Sequence, residues 1–136
     1  MPRKSGGLAL LLASLLAAGC GGETEPAANE VVAGRELHVS SANGIATGTV
    51  RLDGDQITRG RNAFLVDFEP SSTEITAAMT LMPVHGHGSV TPTLTRDGTS
   101  YRISDVVFNM PGLWEVRLEI ALGGSPDRVV FNVDAP

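Results

Sequence analysis

Four side chains in this sequence have the chemistry to hold a soft metal ion: Met82, His85, His87 and Met110. Three lie in the stretch Met82-Pro83-Val84-His85-Gly86-His87-Gly88, and the fourth opens Met110-Pro111-Gly112-Leu113-Trp114. A cuprous ion favours thioether sulfur and imidazole nitrogen, whereas harder cations need oxygen donors. No Asp or Glu occurs between residues 75 and 96, which argues against calcium or magnesium at this place. In an extended segment, residues two apart leave the same side of the backbone, so His85 and His87 are expected to offer both rings to one ion. Gly86 and Gly88 allow the segment to bend around it.

The same residues also fit a metal-free reading. A methionine at a strand end often fills a core gap against a ring such as Trp114 or Phe108. A His-Gly-His-Gly stretch can be a solvated turn, and Met110 can simply seat the turn that leads into Trp114. Residue types alone leave both readings open. Met79 reads as core and His38 as a surface residue. No enzyme is expected, because neither a Ser-His-Asp spacing nor a pair of carboxylates stands out.

The elements that must position these side chains are strands. From residue 36 onward helical periodicity is absent, and alternation of apolar and polar residues recurs in short runs between turn residues. Phe64, Val66 and Phe68 alternate with Leu65 and Asp67. Residues 74–82 put Ile75, Ala77, Met79 and Leu81 on one face and Thr76, Ala78, Thr80 and Met82 on the other. Trp114, Val116, Leu118 and Ile120 form the clearest inward row, answered by Val129, Phe131 and Val133 near the end. Asn43-Gly44, Asp53-Gly54 and Asp97-Gly98 mark turns. Seven or eight short strands in about 100 residues predict an all-β, two-sheet antiparallel β-sandwich. The aromatic residues all fall between Phe64 and Phe131, so the first hairpin should be packed more lightly than the later strands.

The N-terminus carries a second piece of chemistry. Arg3 and Lys4 precede an apolar run from residue 8 to 18, too short to span a bilayer but suited to a signal peptide. It ends in Leu16-Ala17-Ala18-Gly19-Cys20, which resembles the lipobox of bacterial lipoproteins. That resemblance implies cleavage after residue 19, a diacylglyceryl chain on Cys20, and a protein of the bacterial cell envelope facing the periplasm or exterior, held to the membrane by its N-terminal lipid. The Cys20 thiol, the only one in the chain, is then unavailable for a disulfide. Residues 20–35 are polar and carry Gly and Pro, the composition of a flexible linker, and the sandwich is expected to occupy residues 36–136.

Cleavage removes Arg3 and Lys4 from ten basic residues, leaving eight against fifteen acidic ones, a net charge near −7. A polyanion is repelled by such a chain, so nucleic acid is not an expected partner. A single domain of this size is expected to be a monomer.

The series Arg61-Asn62-Ala63-Phe64, Met82-Pro83-Val84-His85-Gly86-His87-Gly88, Asp97-Gly98-Thr99-Ser100-Tyr101 and Phe108-Asn109-Met110-Pro111-Gly112-Leu113-Trp114-Glu115 resembles the YtkA-like and FixH-like domains of bacterial envelope proteins. The resemblance covers most of residues 36–134. It implies an immunoglobulin-like sandwich, copper as the ion, and partners among cytochrome-oxidase assembly or metal-efflux proteins, with Met82, His85, His87 and Met110 as ligands. Many relatives carry a further Met where this chain has Val84, so the ligand set is one sulfur poorer.

Overall fold

Apolar alternation turns into strands nearly everywhere it occurs. The computed structural model describes residues 29–136, so the signal segment, Cys20 and the first part of the linker lie outside the described residues. None of the described residues is helical. The strands are β1 (Glu36–Ser40), β2 (Thr47–Leu52), β3 (Gly60–Glu69), β4 (Glu74–Met82), β5 (His87–Gly88), β6 (Thr93–Asp97), β7 (Ser100–Phe108), β8 (Gly112–Leu122) and β9 (Ser125–Ala135). Eight are of ordinary length and β5 is a two-residue addition.

Two antiparallel sheets form, in the orders β1-β2-β3-β7-β6 and β5-β4-β8-β9. The series β2-β3-β7-β6 facing β4-β8-β9 is the strand arrangement of an immunoglobulin-like sandwich, with β1 and β5 added at edges. Between the sheets Trp114, Phe64, Phe108 and Phe131 are fully buried. Phe64 meets Phe131 edge-on with centroids 5.4 Å apart, and Phe108 lies 5.6 Å from Trp114. Such contacts add to the free energy already gained by burying the rings. The inward rows of β3, β8 and β9 are the ones the alternation predicts. β1 and β2 each bury one residue fully, Val39 and Val50, in keeping with a lightly packed first hairpin.

Strand β4 departs from expectation. Its ladder with β8 pairs Ile75 with Ile120 and then Ala77 with Glu119, so Thr76 is the extra residue of a bulge. The Thr76 hydroxyl donates to the Glu119 carbonyl at 3.2 Å. An extra residue shifts the pleat by one position, and after it Ala78, Thr80 and Met82 point inward while Met79 is 53% exposed. Met79 is therefore not core, and Met82 is.

The folded part also starts before residue 36. Glu30 bridges Asn132 of β9 in parallel, the Val31 N–H donates to the Asn132 carbonyl at 2.8 Å, and Val31 is buried in the core. An isolated Val-Val pair in polar sequence is too short to show periodicity, and so the segment reads as linker although the sandwich seats it.

Candidate functional site

The β4–β8 pairing decides which loops meet. Leu81 stands opposite Glu115, so the end of β4 lies beside the beginning of β8. The turn after β4 (residues 83–86) and the connection from β7 to β8 (residues 109–111) thus share one end of the sandwich, the rim. All four candidate ligands belong to this end, although Met82 and Met110 are far apart in sequence.

Each occupies a different setting. Met82 is the last residue of β4, 4% exposed and part of the core. Its Cε methyl lies 3.5 Å from where a Cβ on Gly112 would sit, which places its thioether end directly under the start of β8. Met110 is half-buried and packs on the core. Its carbonyl accepts the Trp114 indole N–H at 2.9 Å, satisfying the polar edge of a ring that is otherwise wholly buried. The backbone of Met110 therefore has a structural duty apart from any use of its sulfur.

His85 sits exposed in the turn. The N–H groups of His85 and Gly86 both donate to the Met82 carbonyl, at 3.2 and 2.9 Å, and Gly86 takes φ 62°, a left-handed conformation that glycine adopts without strain. His87 opens β5 and pairs with Met82 across the ladder. The His85-Gly86-His87 segment is thus a turn entering a strand, not an extended run, and the two-residue rule for ring direction does not apply across it. Ser89 ties the far side of β5 down. Its N–H donates to the Thr80 carbonyl at 2.9 Å and its hydroxyl to the Val107 carbonyl at 2.7 Å, joining the two sheets.

Among the described residues, no three His, Cys, Asp or Glu side chains group as a metal-holding cluster. Beneath the turn, the Thr80 hydroxyl is buried with no hydrogen-bond partner. Leaving a hydroxyl in that state costs about 1–3 kcal/mol. It shares the inward face with Met82.

A second, more polar concavity of about 410 Å³ opens on the other sheet. It is lined in part by Asp53, Arg61, Asn62, Arg102 and Asp105. Asp105 lies at another bulge, where Ser104 and Asp105 oppose Ala63, and its φ is 56°. Its carboxylate accepts from the Thr93 hydroxyl at 2.7 Å and pairs with Arg61. The Thr93 hydrogen bond, followed by that of Arg61, holds its pKa below the ordinary carboxylate value. Arg102 pairs with Asp53 at 2.8 Å, and the Asn62 side chain is spent on Thr58. The charged groups there answer one another, and the concavity offers no spare charge for a ligand.

Residue types pointed to the Met and His cluster but missed its apolar surroundings. Val84, Val90 and Leu113 are exposed, together with Met79. For Val84 and Val90 the signal was present, since a valine among Pro, Gly and Ser in a loop has no strand face to fill. No protein-family model, curated protein or solved structure matches the chain.

Proposed function

We propose that this protein is a lipid-anchored component of the bacterial envelope, of the YtkA-like and FixH-like kind, that holds Cu(I) at the rim as a chaperone or buffer. The observation that carries the proposal is the meeting of the His-bearing turn after β4 with the Met110 connection at one end of the sandwich. His85 is exposed, Met110 is half-buried, His87 opens β5, and Met82 is buried at the end of β4. A thioether and two imidazoles suit Cu(I). Few donors on a surface turn make an open coordination sphere, into which a ligand from an oxidase-assembly or efflux protein can enter and take the ion. Cys20, outside the described residues, supplies the anchor in this reading.

The test is a titration of the protein with Cu(I) under reducing conditions against a competing chelator. Binding tighter than micromolar is expected, with loss of most affinity in the His85→Ala/His87→Ala double variant and a smaller loss in Met110→Leu. Unchanged binding in the double variant removes the proposal.

The burial of Met82 in the core favours a second reading, in which the rim is a metal-free contact surface that helps assemble an envelope complex. Under that reading the titration shows no tight site while the rim still binds its partner.

A further inference from the structure

We infer that Asn43 is a site of spontaneous deamidation, and that the clasp it forms with Asp127 controls when the reaction runs. The inference is independent of both the anchor and copper.

Of the asparagines in the sequence, only Asn43 is followed by glycine. Deamidation requires the backbone nitrogen of the next residue to attack the side-chain amide carbon, and a residue without a Cβ hinders that approach least. Asn43 and Gly44 are both exposed, and the space is open where a Cβ on Gly44 would sit. Water therefore reaches the pair. The other asparagines precede Glu30, Ala63, Met110 and Val133, whose side chains crowd the attacking nitrogen.

The folded end keeps the two reacting groups apart. The nucleophile, the Gly44 N–H, donates to the Ser41 carbonyl at 2.9 Å, in a turn where Gly44 takes φ 73°. The leaving group, the Asn43 amide nitrogen, donates to the Asp127 carboxylate at 3.1 Å. The Asn43 backbone N–H donates to both oxygens of that carboxylate, at 3.1 and 3.0 Å. Hydrogen bonds to an ionised acceptor are the strong kind, and Asp127 is 6% exposed. Ring closure has to turn the Gly44 nitrogen away from Ser41 and the Asn43 amide away from Asp127. The loop thus reacts when it has lifted from β9, not while it is seated.

Once it has lifted, a C–N bond forms between the Gly44 nitrogen and the Asn43 side-chain carbon. The Gly44 proton departs with the amide nitrogen as ammonia, leaving a five-membered imide. Water opens that ring at either carbonyl to give aspartate or isoaspartate at position 43, and nothing is oxidised or reduced. The product cannot rebuild the clasp. An ionised carboxylate only accepts hydrogen bonds, so a donor to Asp127 is replaced by a second negative charge, and two carboxylates at one site disfavour joint ionisation. Isoaspartate also adds a methylene to the main chain beside Ala42, whose N–H must meet the Arg128 carbonyl at 2.8 Å. The β1–β2 loop is a one-way latch: it recloses while position 43 is an amide and stays open once it is an acid.

The experiment incubates the full chain at neutral pH and reads conversion at each asparagine by peptide mass mapping, with released ammonia as a second readout. Asn43 should convert at least about tenfold more slowly in the folded chain than in urea, because reaction waits on local opening. Asp127→Ala should raise the folded-state rate several-fold toward the urea value. No conversion at Asn43 in urea removes the site. Equal rates in the folded and urea-unfolded parent overturn the gating, as does a folded Asp127→Ala chain that reacts no faster than the parent. If Asp127→Ala does not fold, two substitutions at position 43 carry the test. Asn43→Ala deletes the donor and Asn43→Asp also adds the charge, so the second should lower the urea midpoint further than the first. An Asn43→Asp chain as stable as Asn43→Ala overturns the latch.

Discussion

The two ends of the sandwich are built on opposite principles. At the end away from the rim, polar groups grip one another. The Asp127 carboxylate is buried and accepts hydrogen bonds from the Asn43 backbone N–H at 3.1 and 3.0 Å, the Asn43 side chain at 3.1 Å and the Arg128 N–H at 2.8 Å. Ala42 donates to the Arg128 carbonyl, and the Ser41 hydroxyl accepts from Ala46. This fastens the β1–β2 loop to the start of β9. At the rim the turn after β4 is held by backbone bonds to Met82, and valine and leucine face solvent above an orphaned hydroxyl. One end is closed by its own hydrogen bonds. The other leaves valine and leucine side chains open to solvent.

Substitutions can break or sharpen this contrast. The largest effect should come from the layer both ends share: Phe131→Ala removes a fully buried ring that meets Phe64 and should cost about 3–5 kcal/mol of unfolding free energy in urea titration. Next is the support of the rim. Gly112 has φ 117° and lies against Met82, so Gly112→Ala should cost about 1 kcal/mol or more. A neutral result would mean that the rim backbone adapts freely.

The closed end should reveal itself through pH. Burial raises the Asp127 pKa, but hydrogen bonds from Ser41 and from the Arg128 and Asn43 N–H groups outweigh it and hold the value below 3.8. The folded carboxylate therefore binds protons less readily than the unfolded one. Its stabilisation is complete above the unfolded value, about 3.9, and is lost as pH falls through the lower folded value. Asp127→Asn should flatten that acid limb of the stability profile. An unaltered limb would show that this end is not held by the carboxylate.

Two smaller effects test the open end. Thr80→Val replaces the unpartnered hydroxyl with a methyl group of similar shape and should raise stability by up to about 1 kcal/mol. A clear loss would mean that the hydroxyl has a partner in solution. His85→Ala, at an exposed turn, should leave unfolding within about 0.5 kcal/mol of the parent while weakening Cu(I) binding. That separation of stability from binding is the one that a purely structural turn would not produce.

Much of the sandwich was legible because β8, β9 and β3 from Phe64 onward keep the alternation, and each inward residue there is buried. The reading failed where one residue was out of step. Thr76 carries nothing in its side chain that announces a bulge, yet it exchanges the burial of Met79 and Met82. The candidate site was legible as a set of residue types. Its geometry was not, because Gly86 turns the His85 backbone away from the extended path that the spacing assumes.

By itself the sequence determined the chemical inventory and the local periods. It holds two thioethers and two imidazoles at loop-bearing positions, one cysteine after an apolar run, and apolar residues repeating every second position. Those are properties of neighbours along the chain. Tertiary structure alone decided that the end of β4 lies beside the start of β8, that a bulge turns Met82 inward, and that Glu30 joins the fold in the same row as β5. Each of these depends on pairing between strands remote in sequence. Which pairing wins is settled by the summed burial of the whole core, not by any stretch read alone.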